Sequence, residues 1–258
     1  MKPSRESPPR RSYRYEITHP APYRTSMTYD DYWQHQHTYV EERSAQRRAQ
    51  AISTVEPYIR GASSVLEVGC GPGYVLSDLR SRFPSLTVEG IDNAPHAVAQ
   101  AKERGIHAEC VDLLADPSWA ASHAYDVVIA FEVLEHIVDA EAFFRILVGL
   151  AKRMVIISVP NIGFFKHRLR YLVGNRFPDT VVMDMREHVR HWTMTDMREW
   201  LRMFPVDVVG HHGIAGVGAF GLQRRFPSAF ARTQVIAATV RGNDGAHGST
   251  PASAGTKT

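Results

Sequence analysis

Cysteine is nearly absent: Cys70 and Cys110 are the only two in 258 residues, and they stand in no metal-type spacing. That argues against a disulfide scaffold and fits a reducing compartment. Long apolar runs are missing too. None approaches the ~20 residues needed to span a bilayer, so no stable membrane insertion is expected. The start lacks the apolar core of a signal peptide, and its prolines argue against a transit peptide despite its Arg and Ser content. A cytoplasmic protein is the expectation. Strong charge of one sign is also lacking, and a net +3 does not require a nucleic-acid partner. No internal repeat occurs. An apolar content of 44% is ordinary for a globular chain and leaves room for one α/β domain with appendages.

What is present centres on Val65-Leu66-Glu67-Val68-Gly69-Cys70-Gly71-Pro72-Gly73. An apolar β-type run enters three alternate glycines, and helical apolar spacing follows from Tyr74. This pattern predicts a buried strand, a tight turn and a helix start. The dinucleotide fingerprint wants Gly-x-Gly-x-x-Gly. Here the third glycine comes one residue early, and Glu67 before the loop makes the site less suited to a pyrophosphate. A glycine-rich turn of some other α/β protein is the plain alternative.

The E-x-G-x-G-x-G string resembles motif I of class I S-adenosylmethionine (SAM)-dependent methyltransferases, and the resemblance extends over roughly residues 60 to 223. It implies that the loop carrying Glu67, Gly69, Gly71 and Gly73 passes under the amino-acid end of SAM.

Residues 1–22 are rich in Pro, Ser and Arg and are expected to be a disordered basic tail. Residues 23–60 form a helical cap, with Thr28 or Asp30 at its start and Pro57 and Gly61 ending it. By the resemblance, Tyr29, Tyr32 and Trp33 would wall the SAM pocket; packing onto the domain is the other reading. The domain proper covers 61–240. Its second strand, Leu86 to Asp92, ends in an acid that can accept bonds from both hydroxyls of a ribose. Asp92 can equally cap the helix beginning at Asn93-Ala94-Pro95. A third strand covers Ile106–Val111, and the resemblance places Asp112 and Leu113 against adenine. The fourth strand is Tyr125–Phe131, a helix follows from Ala140 to Leu150, and the fifth strand is Met154–Val159. An insertion, 162–190, has a basic amphipathic middle at 164–172 that reads as a lid, a grip on an anionic group, a membrane-surface contact or a packed helix. A helix to Met203, strands at Val206–Val209 and 218–223, and a disordered tail at 241–258 complete the expectation. The fold class is α/β: a doubly wound, seven-stranded, mainly parallel sheet.

Glu132, Glu135 and His136 stand at i, i+3 and i+4 just after the fourth strand, where open parallel sheets hold their ligands. In a helical turn they would share one face and could hold Mg²⁺ or Mn²⁺. The E-x-x-E-H string, with a later histidine four residues before Trp192-Thr193, is similar to small-RNA 3′-terminal ribose 2′-O-methyltransferases and to ubiquinone-biosynthesis O-methyltransferases. That resemblance implies the metal ligands Glu132, Glu135, His136 and His188, with His191 less well matched. A cation touching two substrate oxygens would ease loss of a hydroxyl proton, and a neutral histidine could take it. His136, His188 and Glu132 are the candidate catalytic residues; without metal, Glu132 and His136 would line the pocket. The stretch from Ser158-Val159-Pro160-Asn161 through Pro178 also resembles MetW-like proteins. The E-x-x-E-H string is not expected in that group and would set this chain apart.

These readings converge on a SAM-dependent O-methyltransferase. Its substrate would be a small molecule with adjacent oxygens, such as a sugar, nucleoside, catechol or secondary-metabolite intermediate. The alternatives are an RNA ribose 2′-O-methyltransferase and a SAM-binding protein that transfers no methyl group. Arg exceeds Lys, and Ala and Val abound, which suggests a GC-rich bacterial genome and a biosynthetic-cluster role. Oligomeric state is left open.

Overall fold

Apolar segments alternate with amphipathic ones from residue 64 onward, and in the computed structural model the apolar ones become strands of one sheet. The structure describes residues 39–175, 188–217 and 221–242. The strands are β1 (Ser64–Val68), β2 (Thr87–Asp92), β3 (His107–Cys110), β4 (Tyr125–Phe131), β5 (Ala151–Pro160), β6 (Val206–Ile214) and β7 (Thr233–Val240). Their spatial order is β3-β2-β1-β4-β5-β7-β6. The first five pair in parallel, and β7 runs antiparallel between β5 and β6. Chain order reverses at β1, whose neighbours are β2 on one side and β4 on the other. A crevice opens at such a switch point, outside the strands' carboxyl ends.

Helices cover both faces: α1 (Tyr39–Ile59), α2 (Tyr74–Arg82), α3 (Pro95–Glu103), α4 (Pro117–Ala121), α5 (Ala140–Leu150), α6 (Phe165–Gly174), α7 (Met194–Leu201), α8 (Leu222–Arg225) and α9 (Pro227–Phe230). A sheet covered twice needs strands apolar on both sides, which is why β4 reads as a continuous run rather than an alternating one. One core layer gathers Phe144, Leu147, Trp200 and Phe204; the other gathers Ile52, Val55, Ile59, Leu76 and Leu79. Phe144 is fully buried, and its loss to alanine would cost ~3–5 kcal/mol. Local chemistry sets the helix starts. Asp139 accepts the Ala142 amide at the head of α5, and Thr193 with Asp196 forms a capping box on α7.

Two boundaries differ from expectation. Pro57 lies inside α1 and does not end it; the helix continues to Ile59, and Gly61 then takes a left-handed φ of 76°. The last strand is not at 218–223. Of that stretch residues 221–223 are described, and they enter α8; the strand is Thr233–Val240. A strand wedged between two others and covered on both faces needs apolar residues throughout. Val235-Ile236-Ala237-Ala238 supply them, whereas Gly218 and Gly221 would weaken a strand interior. Residues 1–38 and 243–258 fall outside the described residues, and with them the basic tail, Thr28, Tyr29, Asp30, Tyr32, Trp33 and all but the first two residues of the expected carboxyl-terminal tail. Among the described residues no helix is long and apolar enough to cross a membrane.

Candidate active site

The glycine loop is built by β1 running into α2. Gly69 and Cys70 both donate to the Ile91 carbonyl, at 2.8 and 3.0 Å, which turns the chain back over the end of β2. Gly69 has φ 73°, and a Cβ there would sit 2.5 Å from Val133 Cγ2. A side chain is therefore excluded twice, by conformation and by the turn after β4. Gly71 and Gly73 also take positive φ.

Asp92, at the end of β2, fastens this loop. One carboxylate oxygen accepts the Gly71 amide at 2.8 Å, and the other accepts the Ala94 amide at 2.9 Å. Ala94, not Asp92, is the capping residue of α3, so the acid supports the helix start from two residues upstream. Each carboxylate oxygen has a second lone pair, which leaves acceptor capacity for hydroxyls in the cleft. Burial raises the Asp92 pKa, and its amide bonds pull it down.

Glu67 lies deeper. It is buried, and Oε2 has no hydrogen-bond partner among the described residues. Desolvation and the Asp92 charge push its pKa well up, with Arg48 opposing them. A cation beside it would favour its charged form and oppose that shift, as Arg48 does. Asp112 stands on the rim. Its Oδ1 accepts the amides of Leu114 and Ala115, while Leu113 is buried beside it.

Glu67, Gly69, Cys70, Asp92, Asp112 and Leu113 line a cavity of about 380 Å³, together with Val68, Asn93, Val111, Phe131, Phe143 and Ile214, while Gly71 and Gly73 shape the loop behind it. Its upper wall comes from α1, through Arg47, Arg48 and Ala51. The sequence reading placed aromatic residues from the cap there and missed the two arginines. An Arg-Arg pair one turn before the buried Ala51-Ile52 was the available signal.

Past β4 the chain does not become helical at Glu132. That residue takes φ 56°, a left-handed conformation costly for a side-chain-bearing residue, and a short 3-10 turn, Leu134–His136, follows. The bend separates the expected ligands. Glu132 Oε1 accepts from Ser158 Oγ at 3.0 Å, and Oε2 accepts from Arg47 at 3.3 Å. Glu135, His136 and His188 instead come together, with their ligand atoms within 4.8 Å of one another. The segment carrying His188 is pinned there: the amides of Val189 and Arg190 donate to the Glu135 carbonyl at 2.8 and 3.1 Å. Arg190 also ties down to Val138 and Glu141. His191 is farther out, its ring 6.4 Å from that of His188.

The chemistry of this trio suits a cation. Glu135 is 1% exposed, the His136 and His188 rings meet edge-on at 4.8 Å, and His188 Nδ1 is buried with no hydrogen-bond partner among the described residues. Burial, then the neighbouring His136 and His191, lower the His188 pKa to about 3, so its imidazole is neutral and free to ligate. Two imidazoles and one carboxylate favour Mn²⁺ over the Mg²⁺ that an oxygen-rich set would prefer. A histidine titrating near 3 is a weak base at neutral pH, so His188 fits a ligand better than a proton acceptor.

Comparison with known proteins gives the same picture of the fold. The family model described as methionine biosynthesis protein MetW matches residues 48–223. Trans-aconitate 2-methyltransferases of Mycobacterium sp. (strain KMS) and Mycobacterium tuberculosis (strain ATCC 25177 / H37Ra) are each 39% identical, over 71 and 69 residues. Those matches cover 28% and 27% of this chain, and the chain spans about a quarter of these relatives' length, 27% and 25%. Among solved structures, the methyltransferase domain of bacterial CtHen1 superposes with a TM-score of 0.54 at 20% identity, covering 76% of this chain and 99% of that one. The plantazolicin methyltransferase BamL, solved with SAH, gives 0.55 at 17% identity, over 78% of this chain and 88% of that one. A SAM-dependent methyltransferase from Clostridium acetobutylicum ATCC 824 gives 0.55 at 13% identity, over 82% and 99%. The fold is that of class I SAM-dependent methyltransferases.

Proposed function

The chain belongs to the family of the methionine biosynthesis protein MetW, and on that premise we propose that it is a SAM-dependent methyltransferase acting on an oxygen of a small molecule. The E-x-x-E-H string, expected to set the chain apart from that family, does not do so. The acceptor would be a hydroxyl with a second oxygen beside it. The observation that carries this reading is the position of Glu135, His136 and His188 in the same cavity as the glycine loop and Asp92.

SAM supplies an electrophilic methyl group when bound. The chain's own residues do the rest. Asp92 offers its remaining lone pairs to ribose hydroxyls, and its bonds to Gly71 and Ala94 hold it still. Glu67 lines the same cavity with a buried carboxyl oxygen that has no hydrogen-bond partner among the described residues, and the resemblance to class I methyltransferases puts the amino-acid end of SAM at this loop. Leu113, Val111 and Phe131 exclude water from the apolar side. Glu135, His136 and His188 would hold a divalent ion, which lowers the cost of removing a proton from a bound hydroxyl. Arg47, from α1, donates to Glu132 at 3.3 Å and adds positive charge to the cavity lining.

An RNA 2′-O-methyltransferase is the second reading, supported by the same trio at the end of β4. Methyl-labelled SAM, incubated with the purified chain and Mn²⁺, distinguishes the two. A panel of vicinal diols, catechols and hydroxy acids is offered beside RNA with a free 3′-terminal ribose, and products are read by mass. Label in the small molecules supports the proposal, and label confined to RNA supports the second reading. SAM binding without any transfer would overturn both.

A further inference from the structure

Helix α6 is turned inside out. Its residue nearest the body is a histidine, His167, which is buried against Phe164 with ring centroids 5.4 Å apart. Its apolar residues Phe165, Leu169, Leu172 and Val173 recur at i, i+4, i+7 and i+8, which places them on one face. That face looks outward: Leu169 is 55% exposed, Leu172 82% and Val173 77%. Single exposed leucines need no explanation, but a contiguous helical stripe of them does.

The stripe continues onto a neighbour. Phe165 packs on Phe230 of α9 at 5.4 Å, and Asn161 Nδ2 donates to the Ser228 carbonyl at 3.1 Å. Phe226, between α8 and α9, is also exposed, with the Arg225 guanidinium 5.7 Å from its ring. Within α6, α8 and α9 themselves the charged side chains are all cationic. Neither 161–175 nor 208–232 contains an Asp or Glu, whereas together they carry Lys166, Arg168, Arg170, Arg224, Arg225 and Arg232. Lys166 and Arg168 flank the apolar stripe on α6, and Arg224 and Arg225 are exposed beside Phe226.

We infer that this face, formed by α6 with α8 and α9, docks onto an anionic lipid bilayer. An apolar stripe edged by cations is the pattern of a helix lying in the headgroup layer: aliphatic side chains enter the acyl boundary while Lys and Arg stay at the phosphates. The binding inferred is peripheral: the helix lies in the headgroup layer, and among the described residues no helix is long and apolar enough to span. α6 leaves the carboxyl end of β5 through Asn161, so docking sets the cavity at that end of the sheet beside the bilayer surface. The inference does not depend on methyl transfer, because it rests on surface residues outside the cavity.

Flotation of the full chain with vesicles tests it directly. One set is phosphatidylcholine alone, and the other mixes phosphatidylcholine and phosphatidylglycerol in equal parts. Binding is expected to the mixed vesicles, weakening as salt is raised, with little to the neutral ones. Leu172→Glu with Val173→Glu should abolish it. Arg224→Ala with Arg225→Ala should weaken it by about thirtyfold. Both variants should keep the wild-type circular dichroism and SAM affinity, because the substituted side chains lie in solvent. Equal binding to both vesicle types, or to neither, overturns the inference. So does a dimer, seen by light scattering, that the Leu172→Glu/Val173→Glu variant dissolves, because the stripe would then belong to a second copy.

Discussion

The Asp92 carboxylate accepts the Gly71 amide at 2.8 Å, so the acid at the end of β2 holds the glycine loop that follows β1. Hydrogen bonds to a charged acceptor contribute ~1.5–3 kcal/mol each, and Asp92→Ala removes those to Gly71 and Ala94 together. We predict that SAM affinity falls by at least about tenfold and the thermal midpoint drops. Asp92→Asn keeps one acceptor oxygen and should lose less of both. Calorimetric titration and thermal melts check this, and an alanine variant that binds SAM normally would count against it.

Gly69→Ala should destabilise the chain by about 2–4 kcal/mol, combining the left-handed backbone with overpacking. The obstacle is specific, since the added Cβ meets Val133 at 2.5 Å. Adding Val133→Ala should therefore recover part of the loss, although neither single change is stabilising. Urea denaturation of the four members of this cycle measures the coupling. Strict additivity would contradict the assigned contact.

Mn²⁺ binding should depend on Glu135 and His188 and far less on Glu132, whose carboxylate is engaged by Ser158 and Arg47. Glu135→Gln and His188→Ala are expected to weaken Mn²⁺ at least about tenfold. Glu132→Gln should leave it within about threefold. Titration followed by the Mn²⁺ paramagnetic signal reads this without any substrate. An unbound wild type would remove the metal from the account while leaving the methyltransferase assignment standing.

Stability should fall on acidification through the histidine range. His211 Nδ1 accepts from Arg198 Nε at 3.0 Å, so Nε2 carries the proton and lies 2.8 Å from Gln234 Oε1. Burial is the main cause that lowers its pKa from 6.5 to about 4, and the Arg198 and His212 charges add to it. Between those values the unfolded chain binds the extra proton and the folded chain does not, so unfolding is favoured as pH drops through the window. Burial also lowers the pKa values of His188, His191 and His212, which act in the same direction. His211→Gln should flatten the slope of stability against pH by up to one proton, measured by urea melts. An unchanged slope would mean that His211 titrates alike in both states.

Local rules made much of this legible. The alternate glycines after an apolar run, the acid ending β2 and the apolar β4 each needed only their own neighbourhood to be read, and each leads to the cavity. The seventh strand was missed because a central antiparallel strand has no alternation, and Thr233–Val240 is separated from β6 by two short helices and from β5 by more than 70 residues. Of the metal-type residues, Glu135, His136 and His188 bring their ligand atoms together. Spacing places Glu132 with Glu135 and His136 only if the backbone is helical, and φ 56° at Glu132 breaks that periodicity. Arg47 and Arg48 act across 85 and 30 residues of sequence, on Glu132 and Asp78; their place one turn before Ala51-Ile52 marks the helix face they share but not these partners.

Calorimetric titration of the purified chain with SAM and, separately, with NAD tests the central claim most directly, because both nucleosides could use Asp92 and only the loop discriminates between them. Saturable binding of SAM, with NAD at least about a hundredfold weaker, is the predicted result. Tighter binding of NAD, or no SAM binding by a folded chain, would contradict it.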